Sequence, residues 1–415
     1  EYPRPDDTFF RLTDFLETVS RRPAYLAFLI EYPNELSRVA ALMSRSAWIA
    51  GYLQQHPALL DELLGAQLTE SRPDWPQLRC ELAAELDACE DAEAKMDALR
   101  RFRHAQVFRL AVQDLAGKWT VEALSDQLSE LADTILGLTL EHAWREMPKK
   151  HRQNPAFAVI GYGKLGGKEL GYTSDLDLVY LYDDPHPDAA HTYARLANRL
   201  TNWLSAATGA GTLYQTDLRL RPDGDSGFIV HSLAAFEKYQ RGHAWTWEHQ
   251  ALTRARFVCG EPAIQTAFER IRSDILTLPR DSAALKNDIL AMREKIAAAH
   301  PPQDNDVKYA RGGIVDVEFT VQYLILAHAR EFPALLDNYG NIALLGTAAE
   351  NGLADPTLCG RARRAYRRFR ACQHSAVLDE AQPPAADSET LSAYAAVRDL
   401  QRQIFGADGE AEEAV

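Results

Sequence analysis

The chain has 415 residues, of which 46% are hydrophobic and 25% are charged, a composition typical of a folded globular protein with two or three domains. Its net charge of −14 argues against broad non-specific nucleic-acid binding, and no apolar run is long enough to span a bilayer, so we expect neither a nucleic-acid nor a membrane partner. The five scattered cysteines contain no Cys-x-x-Cys pair, which argues against a disulfide framework or a metal cluster and favours reduced thiols in the cytoplasm.

The first third of the chain is predicted to be helical. The chain begins with Glu1 rather than Met, so we expect it to be a piece or a processed form of a longer polypeptide. Apolar residues recur at helical spacing from residue 7 to about residue 147, and prolines fall near plausible helix starts and stops. The last helix of this stretch is predicted over residues 124–144 and ends before Pro148. We expect residues 1–115 to form a helical linker or regulatory region.

The pattern changes after about residue 150. Strands are predicted at residues 157–160, 175–182, 212–220 and 228–230, with a helix over residues 189–206. Helices return from about residue 282, for example over residues 317–329 and 361–374. These elements predict an α+β fold that is mostly α: a small mixed sheet with helices in residues 116–275, followed by a helical bundle in residues 276–415.

Two acidic residues interrupt the second predicted strand. Asp175 and Asp177 flank Leu176 in a run that is otherwise apolar and rich in β-formers. Side chains alternate along a strand, so both carboxylates are expected on one face, about 7 Å apart. Like charges in such a strand are costly unless a cation lies between them, and Asp217 on the next predicted strand adds a third acid. A divalent metal carrying a phosphate chain would satisfy this arrangement, which favours phosphoryl or nucleotidyl transfer.

The glycine-rich segment at residues 161–166 allows other interpretations. It matches G-x-G-x-x-G after a strand, but a dinucleotide fold needs a helix next, and Gly166, Gly167 and Gly171 would each weaken that helix by about 1 kcal/mol. A P-loop is also disfavoured, because the segment lacks the Gly-Lys-Ser/Thr sequence that this motif requires. The plain structural alternative is a turn between two strands, with the carboxylates at a sheet edge in solvent.

Longer segments carry a resemblance to a known family. Gly166-Gly167, a short spacer, the Asp-x-Asp strand and a third acid on a neighbouring strand resemble the polymerase-beta-like nucleotidyltransferase superfamily. Residues 163–178, 213–224, 245–256 and 312–319 together resemble bacterial glutamine synthetase adenylyltransferases. Members of that family contain two related halves, one attaching AMP to glutamine synthetase and one removing it by phosphorolysis. The Trp-Glu-His-Gln segment at residues 247–250 is more similar to the C-terminal, adenylylating half.

The resemblance implies a function for residues 116–275 as a nucleotidyltransferase domain. Asp175, Asp177 and Asp217 would hold two Mg²⁺ ions, and ATP would donate AMP to a tyrosine hydroxyl of glutamine synthetase with release of pyrophosphate. A PII-type signal protein and glutamine are the implied regulators. Two alternatives stay open: phosphate-dependent removal of AMP, which yields ADP, and a regulatory module that binds nucleotide without catalysis.

Several other residues are candidates for phosphate binding. Backbone N–H groups around Gly166, Gly167 and Ser174 can cradle phosphate oxygens, because glycine permits close approach of the main chain. Three cations are candidates for phosphate contacts: Lys164, Lys168 and Arg219. The alternative for the two lysines is a solvated position in a loop. Arg219 shares its strand face with Asp217, and its alternative is a structural salt bridge.

A last group is expected near a cleft between domains. Arg254 and Arg256 would share a face if their segment is extended. For Asp316 and Glu318 the resemblance implies positions facing a cleft, whereas the alternative is a helix start with a first-turn acid. Trp245 and Trp247 are expected to pack in the core, with a platform for the adenine base as the alternative.

Overall fold

The computed structural model describes residues 4–20, 23–63, 72–301, 306–380 and 387–406. These residues are mostly helical and contain one small mixed sheet, which confirms the predicted α+β, mostly α class. No described helix is both long and apolar enough to cross a bilayer.

The helices before the sheet agree with the predicted helical region. In the described ranges they are α1 (Pro5–Ser20), α2 (Pro23–Glu31), α3 (Pro33–Arg45), α4 (Ala47–Gln55), α5 (Leu60–Leu63), α6 (Trp75–Ala88), α7 (Ala92–Leu115) and α8 (Val121–Arg145). The side chains of Asp74, Asp91 and Thr120 accept backbone N–H groups at the starts of α6, α7 and α8, which satisfies donors that have no partner inside a helix.

The sheet contains five strands in the described part of the chain. They are β1 (Phe157–Gly161), β2 (Leu176–Tyr182), β3 (Thr216–Asp217), β4 (Val230–Ser232) and β5 (Arg256–Gly260). The order is β3-β2-β1-β5, with β4 also paired to β2. Strand β1 is antiparallel to β2 and β5, whereas β3 and β4 are parallel to β2. The antiparallel β1–β2 pair excludes the dinucleotide fold, in which these two strands are parallel.

Two strand predictions need correction. The strand predicted at residues 212–220 is reduced to Thr216–Asp217, because Asp217 Oδ1 accepts the N–H of Arg219 at 2.8 Å and turns the chain out of the sheet. The strand predicted at residues 228–230 begins only at Val230. Strand β5 was not predicted.

Helices also follow and surround the sheet. They are α9 (Gly163–Gly166), α10 (Ala189–Ser205), α11 (Leu233–Gly242), α12 (Thr246–Thr253), α13 (Pro262–Leu276), α14 (Ser282–Ala299), α15 (Ile314–His328), α16 (Asn341–Glu350), α17 (Pro356–Asp379) and α18 (Ser388–Phe405). The helices predicted over residues 189–206, 317–329 and 361–374 are confirmed, the last as part of the longer α17. Helix α9 is a single turn, so the glycine-rich segment does not continue into a crossover helix.

The sheet separates two hydrophobic cores. Phe157, Val159 and Tyr180 pack on the core that also contains the N-terminal helices. Ile160 and Val179, which point to the other face, pack with the C-terminal helices. The edge of the sheet that carries Asp177 therefore lies beside both helical regions. The predicted domain boundaries at residues 115 and 275 stay a prediction.

Candidate active site

The three predicted carboxylates are brought together at one edge of the sheet. Asp177 is the second residue of β2 and lies opposite Asp217 of β3 in parallel register, while Asp175 immediately precedes β2. Each residue offers a carboxylate oxygen, and these oxygens lie within 4.8 Å of one another. A cluster of oxygen ligands at this separation suits a hard cation such as Mg²⁺.

The three carboxylates differ in their electrostatics. Burial, followed by the charges of Asp175 and Asp217, raises the pKa of Asp177 to about 6. The pKa of Asp217 is lowered, chiefly by hydrogen bonds from the Arg219 side chain, whose Nε donates to Oδ2 at 2.9 Å. Asp175 is exposed and lies just before β2, which corrects the expectation that both acids lie within the strand predicted at residues 175–182.

Gly163 allows the chain to pass close to Asp177. Its φ is +52°, and a Cβ atom at this position would lie 2.1 Å from Asp177 Oδ2. Only glycine fits, because both the backbone conformation and the contact disfavour a side chain. We had not predicted this role, although the glycine spacing at residues 161–166 contained the signal.

The predicted phosphate cradle is occupied by internal hydrogen bonds. The N–H groups of Gly166 and Gly167 donate to the carbonyls of Tyr162 and Gly163, and that of Ser174 donates to Gly171. A Cβ on Gly166 would lie 1.8 Å from Arg254 O, and one on Gly167 would lie 2.3 Å from Arg254 Nη2. These two glycines therefore permit close packing against Arg254.

A cavity of about 420 Å³ contains the three aspartates and lies between the sheet edge and the C-terminal helices. We call it the aspartate cavity. Its apolar wall consists of Leu220, Trp247, Ala251, Met292, Ile296, Ile314 and Phe319. Its polar lining, apart from the aspartates, consists of Gly163, Lys164, Arg219, Gln250, Arg254, Lys308, Glu318, Gln322, Arg370 and Gln373.

Basic side chains from three distant segments meet in this cavity. Burial, followed by the nearby charges of Arg370 and Lys308, lowers the pKa of Lys164. Arg370 is buried and donates to Gln373 Oε1 at 2.8 Å. Lys308 and Arg370 were missed, because nothing in the sequence near residue 175 indicates which later cations approach it. Such a cluster is suited to bind an anion.

Lys168 is not part of the aspartate cavity. Its Nζ pairs with Glu130 Oε1 at 2.9 Å, and both side chains are about 40% exposed. The residue lines a separate cavity, together with Glu169 and residues of α16 and α17. The alternative interpretation, a solvated loop lysine, describes its position.

Arg254 and Glu318 both line the aspartate cavity. Arg254 is buried at the end of α12, where it donates to Glu318 Oε1 at 2.7 Å and to Glu169 Oε2 at 2.6 Å. Four residues earlier, Gln250 donates to Gln322 Oε1 at 2.9 Å. Because Gln250 contacts Gln322 and Arg254 contacts the earlier residue Glu318, α12 and α15 run antiparallel and are joined by two polar contacts. Burial opposes the charge of Arg254, but Glu169 and Glu318 raise its pKa above the ordinary value.

Arg256 and Asp316 lie away from the aspartate cavity. Arg254 ends a helix and Arg256 begins a strand, so the segment is not continuously extended and the two arginines do not share a face. Arg256 pairs with Asp133 at 2.8 Å. Asp316 is buried against Arg293 and accepts the N–H of Gly312, which is the helix-start role that we considered as the alternative.

The two tryptophans do not pack in the core, contrary to our expectation. Trp245 is 70% exposed and Trp247 is 37% exposed. They begin α12, and the side of this helix that faces the aspartate cavity carries Trp247, Gln250 and Arg254 at successive turns. An aromatic side chain is therefore available at the end of the cavity wall.

Comparison with known proteins gives the same family throughout. A sequence model of the family described as glutamate-ammonia ligase adenylyltransferase matches residues 36–271. One similar curated protein, from Neisseria meningitidis serogroup A, is 65% identical, and the match covers 98% of this chain and 45% of that protein. Another, from Chromobacterium violaceum, is 56% identical, and the match covers 97% of this chain and 45% of that protein. A third, from Nitrosomonas europaea, is 49% identical, and the match covers 98% of this chain and 46% of that protein. All three are named bifunctional glutamine synthetase adenylyltransferase/adenylyl-removing enzyme, and the chain spans about half of their length.

Proposed function

Because the chain belongs to the glutamate-ammonia ligase adenylyltransferase family, we propose that its aspartate cavity transfers AMP from ATP to a tyrosine hydroxyl of glutamine synthetase, releasing pyrophosphate. The sheet would then be the core of a polymerase-beta-like nucleotidyltransferase module. The observation that carries this proposal is the convergence of three carboxylates, a cluster of cations and an apolar wall in one cavity of about 420 Å³. This volume lies in the range of small-molecule sites.

The carboxylates fit two Mg²⁺ ions as the cofactors. The three acids have oxygens within 4.8 Å of one another, and burial together with the charges of Asp175 and Asp217 raises the pKa of Asp177. A divalent cation would offset both the burial of Asp177 and the repulsion from its neighbours. Bound Mg²⁺ would neutralise charge on the phosphates and activate the acceptor hydroxyl. Asp175 and Asp177 would hold the ion that accompanies the triphosphate, and Asp217 would complete the site beside the acceptor.

The cations and the apolar wall suggest how ATP lies in the cavity. Lys164, Lys308 and Arg370 would bind the phosphates, since Lys164 is close enough to Asp175 for their charges to interact. Arg254 lies at the same end, because its charge acts on Asp177. Trp247 precedes Arg254 by seven residues, or about 10 Å along the helix, which suits a base placed against its ring.

Arg219 would change partners during the reaction. It pairs with Asp217 through side-chain hydrogen bonds, and its side chain is 73% exposed. We propose that Arg219 would contact the triphosphate instead of Asp217 once Asp217 serves as a metal ligand. The Asp217 oxygen that Arg219 leaves would then be able to take up the proton of the acceptor hydroxyl.

Removal of AMP is the second candidate function, because the curated relatives carry both activities in their name and the chain spans half of them. The same cations would then bind inorganic phosphate. The choice of the adenylylating direction relies on the resemblance of residues 247–250. Control by a PII-type signal protein and by glutamine, and a cytoplasmic location, are further expectations of this proposal.

The direct test is AMP transfer by the purified protein. With labelled ATP, Mg²⁺ and unmodified glutamine synthetase, we expect label on the acceptor and release of pyrophosphate, and we expect Asp175→Asn with Asp177→Asn to abolish both. Adenylylated glutamine synthetase with phosphate provides the second arm, in which ADP release would favour the removing direction. Full transfer by the double variant would contradict the proposal.

A further inference from the structure

Three exposed aromatic side chains belong to the two segments that border the aspartate cavity, the loop after β3 and the start of α12. Phe228 is 81% exposed, Trp245 is 70% exposed and Trp247 is 37% exposed. Single exposed apolar residues are ordinary on a protein surface, but several large ones on adjoining segments indicate a contact surface. We call these three residues the aromatic rim.

The register of the sheet locates Phe228 near the aspartates. Strands β3 and β4 both pair with the same edge of β2, with Asp217 opposite Asp177 and Val230 opposite Tyr180. These two positions on β2 are three residues apart, which corresponds to about 10 Å along a strand. Residues 218–229 therefore leave and rejoin one edge of the sheet beside the carboxylates, and Phe228 lies at the returning end of this loop.

Hydrogen bonds connect this loop to the start of α12. The hydroxyl of Tyr239 donates to Glu248 Oε1 at 2.9 Å and is also hydrogen-bonded to the backbone of Asp223. Glu248 Oε2 in turn accepts the N–H of Trp245 at 2.9 Å. Leu220 from the loop and Trp247 from α12 both line the aspartate cavity. The aromatic rim is thus carried by two connected segments at the border of the cavity.

We infer that the aromatic rim is the docking surface for the protein that accepts AMP; this inference rests on the proposed function and extends it. A cavity of about 420 Å³ is suited to a nucleotide. A protein acceptor can therefore insert only its reacting side chain, and the surface around that side chain must rest on the border of the cavity. Exposed tryptophan and phenylalanine provide the contacts that dominate affinity at protein interfaces.

The experiment compares two pairs of exposed aromatics. Phe228→Ala with Trp245→Ala removes the two rim residues that do not line the cavity. Phe9→Ala with Phe10→Ala is the matched control, since these side chains are 67% and 66% exposed on α1. For the rim variant we expect KM for glutamine synthetase to rise about 10- to 100-fold, with kcat and KM for ATP changed less than about twofold. The control should keep all three values. A rim variant that carries Trp245→Phe instead of Trp245→Ala should recover most of the affinity for glutamine synthetase.

The outcomes separate this inference from the proposed function. If the unsubstituted protein transfers AMP and the rim variant has the same KM for glutamine synthetase, the docking surface lies elsewhere and the inference is wrong. An equal rise in KM for ATP would also overturn it, because the rim would then act on the cavity. Absence of AMP transfer by the unsubstituted protein would instead remove the proposed function itself. Thermal unfolding of both variants checks that neither substitution disturbs the fold.

Discussion

The surroundings of Asp177 in the aspartate cavity change the pH at which its carboxylate is protonated. Its side chain is half-buried between two other acids, and its pKa is raised to about 6. The folded chain therefore holds this proton more tightly than the unfolded chain does. The protonated carboxyl favours folding at low pH, and this contribution is lost as the pH rises from about 4 to about 6.

We predict that Asp177→Asn stabilises the metal-free protein at alkaline pH. With EDTA present, the gain in the free energy of unfolding should be about 2 to 3 kcal/mol at pH 8 and about half of that at pH 5. Urea denaturation at the two pH values measures it. Asp225→Asn, at an exposed carboxylate on the loop after β3, is the control and should change little. An equal effect of Asp177→Asn at both pH values would contradict the prediction.

Gly163 allows a second prediction at the scale of one residue. Gly163→Ala places a methyl group against Asp177 Oδ2, so the carboxylate must move away from its neighbours. We expect the affinity for Mn²⁺, measured by titration calorimetry, to fall at least about 10-fold, an effect of about 1.4 kcal/mol or more.

Gly117→Ala is the matched control for Gly163→Ala. Its φ of +73° is similarly left-handed, but no atom lies within 4 Å of the added carbon. This variant should lose about 1 kcal/mol of stability from backbone strain alone and keep its affinity for Mn²⁺. If both alanines weaken metal binding equally, the contact with Asp177 has no special role.

At the scale of secondary-structure elements, Glu169 joins the glycine-rich segment to three helices. It accepts hydrogen bonds from Arg254, which follows the last residue of α12, from Asn341 of α16 and from Tyr366 of α17. Burial opposes its charge, but Arg254, Arg370 and the hydroxyl of Tyr366 lower its pKa below the ordinary value. The single turn α9 and the C-terminal helices are therefore held together by one buried carboxylate.

We predict that Glu169→Gln destabilises the fold by about 3 to 5 kcal/mol, because it leaves the buried guanidinium of Arg254 with less compensation. Lys168→Gln, at the adjacent residue, removes only an exposed ion pair and should cost at most about 1 kcal/mol. It should also leave ATP binding unchanged, since Lys168 lies outside the aspartate cavity. Denaturation curves of the two variants provide the comparison, and equal losses would show that the Glu169 network is not central to the fold.

The sequence predicted the elements that have a local signal. The alternation of apolar and acidic residues around Asp177, together with the third acid at Asp217, was sufficient to predict that the three carboxylates lie close together. The strand around Asp217 was predicted too long, because β-propensity does not register the side-chain hydrogen bond to Arg219 that ends it. Lys308 and Arg370 could not be predicted, because they reach the cavity only through the packing of α15 and α17 around the sheet.

At the scale of the whole molecule, the sheet lies between two cores that belong to different helical regions. One face packs on the N-terminal helices and the other on the C-terminal helices. The aspartates come from the sheet, whereas the opposite wall of their cavity comes from α12, α14, α15 and α17. The shape of the cavity therefore depends on how the C-terminal helices pack against the sheet.

We propose that the aspartate cavity binds metal ions and ATP together. It is tested most directly by a crystal structure with Mn²⁺ and a non-hydrolysable ATP analogue, with the metals located by anomalous scattering. We predict two metal peaks within about 2.5 Å of carboxylate oxygens of Asp175, Asp177 and Asp217, phosphates near Lys164, and the base against Trp247. Metal bound away from these carboxylates, or the analogue bound in another cavity, would show that this proposal is wrong.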